Sequence, residues 1–316
     1  MRHICFECVI MPPMRTRQEY GGLVWIDLES PNRLEVRAMA EEFGIAETIA
    51  EELLLPASKP RAEFYGEYAY IVMHFPALKH SHATREQEVD FIVGKNFLIT
   101  THYDTIDPIH KFSKIFEVNA TLETTSLGEH AGFLFFFTVK KLYKAIEYEL
   151  DFIRRELITI EEHIYSGHEV EMVSAISRAA RGLLNLRQTI EPHRDILKII
   201  EDNGSDFFGA EFLPYLRGLS NEYYRVHNHI TRATDFLHEL RETNNSLLTT
   251  KQNETMRILT IMALLTFPLA LLVTIFDINS KSNPLTDLPY GFWIIVGIVV
   301  AAGSGMVWYF KHNKWL

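Results

Sequence analysis

Two long stretches near the C-terminus, residues 258–276 and 290–310, contain no charged side chain. Each is about 20 residues, enough for a helix to cross a hydrocarbon core of about 30 Å. A chain with two such runs close together at one end is expected to place most of its length in water and a short part in a membrane. The segment between them, TIFDINSKSNPLTDLPYGFW, is polar, and Asp277 stands where the first run stops. Asn279 follows two residues later. Elsewhere charges are mixed, with a formal net charge of -10 and 47% hydrophobic residues. Without the runs, 316 residues would suggest roughly two soluble domains.

Flanking charge orients the runs. Lys251 and Arg257 precede the first, and Lys311, His312 and Lys314 follow the second. The connecting loop sets Lys281 against Asp277 and Asp287. The bias of Lys and Arg toward the cytoplasmic side puts both chain ends in the cytoplasm and the loop outside. The N-terminal MRHICFECVIMPP is too short and too interrupted in its apolar part for a signal peptide. It carries the only cysteines, Cys5 and Cys8. A structural zinc site needs four ligands. Even with His3 only three are at hand, so two reduced thiols on a short strand are the simpler expectation. Low cysteine usage suits a reducing compartment.

Residues 1–126 read as a cytoplasmic α/β domain. GGLVWIDLES, YAYIVMHFPAL and QEVDFIVGKNFLITTHYD are strand-rich, the last with a turn at GKN. In SPNRLEVRAMAEEFG, Ser30 is the expected N-cap, Pro31 the first helical residue and Gly44 the stop. Residues 127–212 read as a helical hairpin: one amphipathic helix over 133–164, a turn at Gly167, and a second over 173–202 kinked by Pro192. From Pro214 the helical pattern meets no proline until Pro268. The expectation is a cytoplasmic stalk helix, 213–257, continuing into a first transmembrane helix, 258–276. A loop, 277–289, a second transmembrane helix, 290–310, and a basic tail, 311–316, complete the chain. A helix from 214 to 276 would be on the order of 95 Å long. No single globular domain buries that length, so copies of the chain are the simplest cover.

NETMRILTIMALLTFPLALLVTIFDIN, the loop with Pro284, the second run and the ending YFKHNKWL resemble the CorA family of divalent metal ion channels. WIDLESP and VGKNFLITTH are similar to that family too. The resemblance implies an α+β membrane protein: a homopentameric cytoplasmic funnel whose first membrane helix lines a pore. It implies a transported divalent cation, Mg2+ with Zn2+ or Co2+ as alternatives. No covalent cofactor and no nucleic-acid partner are expected, only membrane lipid and other copies of the chain. The family's Gly-Met-Asn at the outer end of the pore helix reads Asp277, Ile278, Asn279 here. The asparagine alone is kept, which leaves the selected ion open.

Asn253, Met256, Leu259, Ala263, Phe267 and Ala270 are three or four residues apart and share one helical face. The family's pore-lining positions fall on these residues. The face is apolar except for Asn253 at its inner end. A ring of Phe267 would form a constriction that gates by dewetting. Asn279 offers an amide oxygen to a hydrated ion, and magnesium sheds water reluctantly. The alternative is a lone anchor helix facing lipid. Asp277 has three readings: an acidic ring that concentrates cations, a partner for Lys281, or a marker of the membrane boundary. Gly297, Ala301 and Gly305 recur at the spacing that lets membrane helices approach closely, the alternative being that glycine is simply common in such helices. The hairpin tip holds Glu161, Glu162, Glu169 and Glu171 with His163 and His168, read as a solvated acidic turn with cation binding as the alternative. By resemblance it points to the membrane, near a basic ring from Lys311 and Lys314. His80 with His82 and His227 with His229 are spaced i,i+2, which on a helix separates the latter two. The family's regulatory metal site between cytoplasmic domains is not carried over, because the expected acid reads Gly218.

No phosphate-binding loop, HExxH, GxSxG or dinucleotide fingerprint occurs, so an enzyme is not expected. Two functions remain: a passive divalent-cation channel, or a membrane-anchored scaffold or sensor that kept the assembly without conduction.

Overall fold

A computed structural model of the chain describes residues 14–57, 59–76, 86–106, 108–111, 113–114, 130–277 and 290–313. Cys5, Cys8, His3, His80, His82, Ile278, Asn279, Lys281 and Lys314 lie outside the described residues. The chain divides into two compact units, Met1–Gly167 with Glu171–Leu240, and His168–Val170 with Arg241–Leu316.

The first unit opens with strands β1 (Met14–Tyr20) and β2 (Leu23–Glu29) and helices α1 (Arg33–Phe43) and α2 (Glu47–Glu52). Strands β3 (Arg61–Tyr65), β4 (Tyr68–Pro76), β5 (Glu86–Gly94) and β6 (Phe97–His102) follow. They form one sheet in the order β1-β2-β6-β5-β4-β3. Only β2 and β6 pair in parallel, joined in register from Val24–Phe97 to Glu29–His102. The expected hairpin forms at GKN: β5 ends on Gly94 and β6 resumes at Phe97. The edge strands β1 and β3, MRTRQEY and RAEFY, carry no clear strand signal in the sequence. Each pairs on one side only and needs little apolar alternation, so period-two patterning does not mark it.

Helix α1 begins two residues later than expected. Its N-cap is Asn32, whose Oδ1 accepts the amides of Leu34 at 2.9 Å and Glu35 at 3.0 Å. The Glu35 carboxylate in turn accepts the Asn32 amide at 3.0 Å. This reciprocal pairing satisfies three first-turn donors. Ser30 is turned to the sheet end instead, its amide on the His102 carbonyl at 2.8 Å and its hydroxyl donating to the Tyr103 carbonyl at 3.1 Å. Gly44 stops the helix at φ 67° as expected, in the left-handed region that glycine adopts without penalty.

Helices α1 and α2 cover one sheet face through Val36, Met39, Ile49 and Leu53 against Ile26, Val72, Ile92 and Ile99. The chain then forms α3 (Gly132–Tyr165), α4 (Glu169–Ile190) and α5 (His193–Phe208). Helix α3 brings Phe135 edge-on to Phe91 of β5, with centroids 5.2 Å apart, and so covers the other face. The hairpin turn at Gly167 has φ 94°. The expected kink at Pro192 is a break instead: α4 ends at Ile190 and α5 starts at His193. Proline lacks the amide the helix needs and clashes with the preceding turn, whereas it suits a new start. His193, fully buried, then donates through Nε2 to the His74 carbonyl at 2.8 Å and accepts the Tyr143 hydroxyl on Nδ1 at 2.9 Å. Burial depresses its pKa to about 4 and keeps the ring neutral.

One end of the α1/α2 face is polar. Glu88 accepts the Ala57 amide at 2.8 Å and pairs with His74 at 3.0 Å. Asp90, 1% exposed, accepts from the Tyr103 hydroxyl at 3.4 Å. Among the described residues its Oδ1, the Thr101 hydroxyl directly across in β6 and the Tyr70 hydroxyl have no hydrogen-bond partner. Burial, then the neighbouring Glu88, raises Asp90 to about 8, so folding takes up a proton there. A raised carboxyl stabilises the fold fully below its unfolded value of 3.8, and that contribution is lost as pH rises to about 8. Between those limits the protection of β4–β6 amides in hydrogen exchange should weaken by up to about 1.4 kcal/mol per pH unit. Asp90→Asn should flatten this slope; an undiminished slope in the variant would locate the proton elsewhere.

Candidate ion pathway

After a 3₁₀ turn at Ala210–Phe212, the long helix α6 runs unbroken over Leu213–Asp277, 65 residues. Its last part and α7 (Gly291–His312) are the two helices long and apolar enough to cross a membrane among the described residues. Pro268 lies inside α6. It removes the donor for the Leu264 carbonyl without ending the helix, a loss tolerated in membrane helices.

In the second unit α7 approaches α6 at Gly303. Ile261 and Phe310 are buried, and a Cβ added at Gly303 would lie 3.4 Å from the Leu269 side chain. The expected stripe of Gly297, Ala301 and Gly305 does not make this approach. A Cβ at Gly297 or Gly305 would meet nothing within 4 Å, and Ala301 is exposed. The close residue is Gly303, set off from that stripe by the helical turn, so the spacing identifies small residues but not the packed face.

The six residues expected to line a pore lie on the opposite side. At 100° per residue, Asn253, Met256, Leu259, Ala263, Phe267 and Ala270 occupy a face roughly 180° from Ile261 and Leu269. Within the single chain Met256 is 57% exposed, Leu259 55% and Phe267 75%. Asn253 and Ala270 are exposed as well, and Ala263 is half-buried. Met262 at 57% and Leu271 at 62% are as open, so most of this span, the six residues included, needs lipid, other copies, or a lumen. Asp277 is the last residue of α6, and Lys311 is exposed in the last turn of α7.

The acidic hairpin tip is not uniformly solvated. Glu169 is 3% exposed, and its Oε2 accepts from Lys251 Nζ at 2.5 Å. The hydrogen bond from Lys251 holds the Glu169 carboxyl below its usual range. Lys251 lies seven residues before the uncharged run, about 10 Å along the helix. The pair therefore ties the tip to α6 just below the apolar segment. Both residues stand out in the sequence, but their pairing does not, because 82 positions separate them. Among the described residues no group of three or more His, Cys, Asp or Glu side chains could hold a metal ion.

A soluble α/β domain, a helical hairpin and one helix that continues from the domain into the first of two membrane-length spans define a class of membrane transport protein. The family model described as "CorA-like Mg2+ transporter protein" matches residues 20–312, and the chain belongs to that family. The cobalt/magnesium transport protein CorA of Thermotoga maritima is 26% identical over 297 residues, 92% of this chain and 83% of that protein. The complete structure of the CorA magnesium transporter of Methanocaldococcus jannaschii superposes with TM-score 0.82 at 20% identity, over 93% of this chain and 92% of that one. The full-length CmaX protein gives TM-score 0.71 at 17% identity, over 93% and 89%. The family is one of metal ion transporters rather than enzymes, and the fold agrees along nearly the whole length.

Proposed function

We propose that the chain is a passive divalent-cation channel, a homopentamer in the cell inner or plasma membrane with both chain ends in the cytoplasm. Membership of the family carries the coarser part: this is a divalent-cation transporter of the CorA type. The observation that supports the finer part is the open apolar face of α6, turned away from the α7 contact. Five such faces around an axis make a lumen from Asn253 to Ala270. No nucleotide-driven step is needed, since the membrane potential supplies about 2.3 kcal/mol per elementary charge per 100 mV.

In this reading Asn279 amides meet the hydrated ion at the outer mouth, and Asp277 concentrates cations there. Phe267 forms the narrow apolar ring, and Lys311 and Lys314 form a basic ring at the inner mouth. Magnesium is the proposed ion, with zinc and cobalt as alternatives. Ion flux into liposomes holding the purified protein, with magnesium, zinc and cobalt tested in turn, checks conduction. Native mass in detergent checks assembly. Flux of at least one ion by a five-chain particle is expected. A monomer would overturn the assembly, and no flux of any of the three would favour the non-conducting scaffold.

A further inference from the structure

Helices α3 and α6 face each other along a ladder of charges. Lys140 pairs with Glu222 at 3.7 Å. Seven residues further along α3, Glu147 accepts from Arg225 Nη2 at 3.0 Å. Another seven residues along both helices bring Arg154 and Arg232 to one groove. Two rungs join opposite charges, and the third sets two cations on facing helices, which is unfavourable in the way of like charges one turn apart.

Both arginines are exposed, and among the described residues neither is paired with a carboxylate as in the first two rungs. Among the described residues Arg154 makes no hydrogen bond or ion pair, and Arg232 gives only Nε, to the Asn228 carbonyl of its own helix at 3.3 Å. Asp151 lines the same groove without pairing with either. The groove encloses about 440 Å³, within the usual range for small-molecule sites. Its walls are unlike at the two ends. His229 stands one turn before Arg232, while Leu157 and Phe236 offer an apolar edge.

We propose that this third rung is a binding site for an organic phosphate of nucleotide size. Guanidinium groups match phosphate oxygens two at a time, and a pair from different helices would clasp one group. The ring of Phe236 suits the flat face of a base, and Asp151 accepts from a sugar hydroxyl or exocyclic amine. The bound anion replaces the carboxylate that the first two rungs carry.

The test is calorimetric titration of the full-length protein in detergent, free of divalent cations that would neutralise the ligand. ATP, AMP and inorganic phosphate are titrated separately. Saturable nucleotide binding is expected, tighter than inorganic phosphate, with Arg154→Gln and Arg232→Gln each weakening it about tenfold or more. Arg154→Glu would complete the ladder from within. It should abolish binding and raise the melting temperature, which separates loss of the site from loss of the fold. Absence of saturable binding, or binding unchanged in Arg154→Gln and Arg154→Glu, would overturn the site. Equal affinity for inorganic phosphate would overturn its assignment to an organic phosphate. None of these outcomes depends on whether the protein conducts.

Discussion

Flux through Asn279→Ala is expected to fall to that of protein-free liposomes while the particle keeps its mass. By the resemblance, Asn279 would be the one residue of the family's Gly-Met-Asn that this chain retains. Its amide is a neutral acceptor, able to hold the first hydration shell of an ion that dehydrates reluctantly. Alanine removes the acceptor and leaves little else at that position to replace it. Asp277 is proposed to act differently. By the resemblance it takes the place of the family's glycine, and α6 reaches it as ordinary right-handed helix. If its charge matters, Asp277→Asn should lower uptake at low cation concentration and flatten the salt dependence, since a ring of charge is screened over about 8 Å at physiological salt. Unchanged flux in Asn279→Ala would exclude the amide ring as the first binding point.

Phe267→Ala should act in the opposite direction. Phe267 is 75% exposed in the single chain, so truncation opens no cavity in the chain's own core. Stability of the protomer should scarcely change. In a five-fold ring, however, five phenyl groups are replaced by methyls, and a dewetted constriction becomes wide enough to hold water. Lowering that barrier by about 1.4 kcal/mol multiplies the rate tenfold. A large rise in liposome flux is therefore expected, with poorer discrimination between ions. A fall in flux with an intact particle would mean that Phe267 packs the assembly instead of closing it.

The long-range plan is legible in the sequence because it rests on long, strongly patterned segments. Two uncharged runs and a proline-free stretch from 215 to 267 leave few alternatives to a stalk that enters a membrane. Elements set by tertiary pairing are harder to read. β1 and β3 are short edge strands whose alternation is weak, and α1 takes its cap from Asn32 while the Ser30 amide and hydroxyl bond the His102 and Tyr103 carbonyls. In α7 the spacing of Gly297, Ala301 and Gly305 is visible, but which face meets α6 depends on Leu269, and Gly303 fits it. The same limit hides the Glu169–Lys251 pair and the Asp90 cluster. A single residue's type does not announce a partner that folding brings from far away. The proposed pore face differs in kind. Helical spacing alone marks its six positions as one face, whereas its orientation away from α7 follows from the Gly303–Leu269 contact, which periodicity does not encode.

That orientation admits a direct test. With Cys5 and Cys8 replaced by serine, single cysteines are placed at Leu259, Ala263 and Phe267 on one face of α6, and at Ile261 and Leu269 on the other. Flux is measured before and after a charged, membrane-impermeant thiol reagent. A conducting lumen along the first face predicts that modification blocks flux at 259, 263 and 267 and leaves 261 and 269 unaffected. Block at 261 and 269 with none at the other three would contradict the pathway and place the water-filled route on the α7 side of the helix.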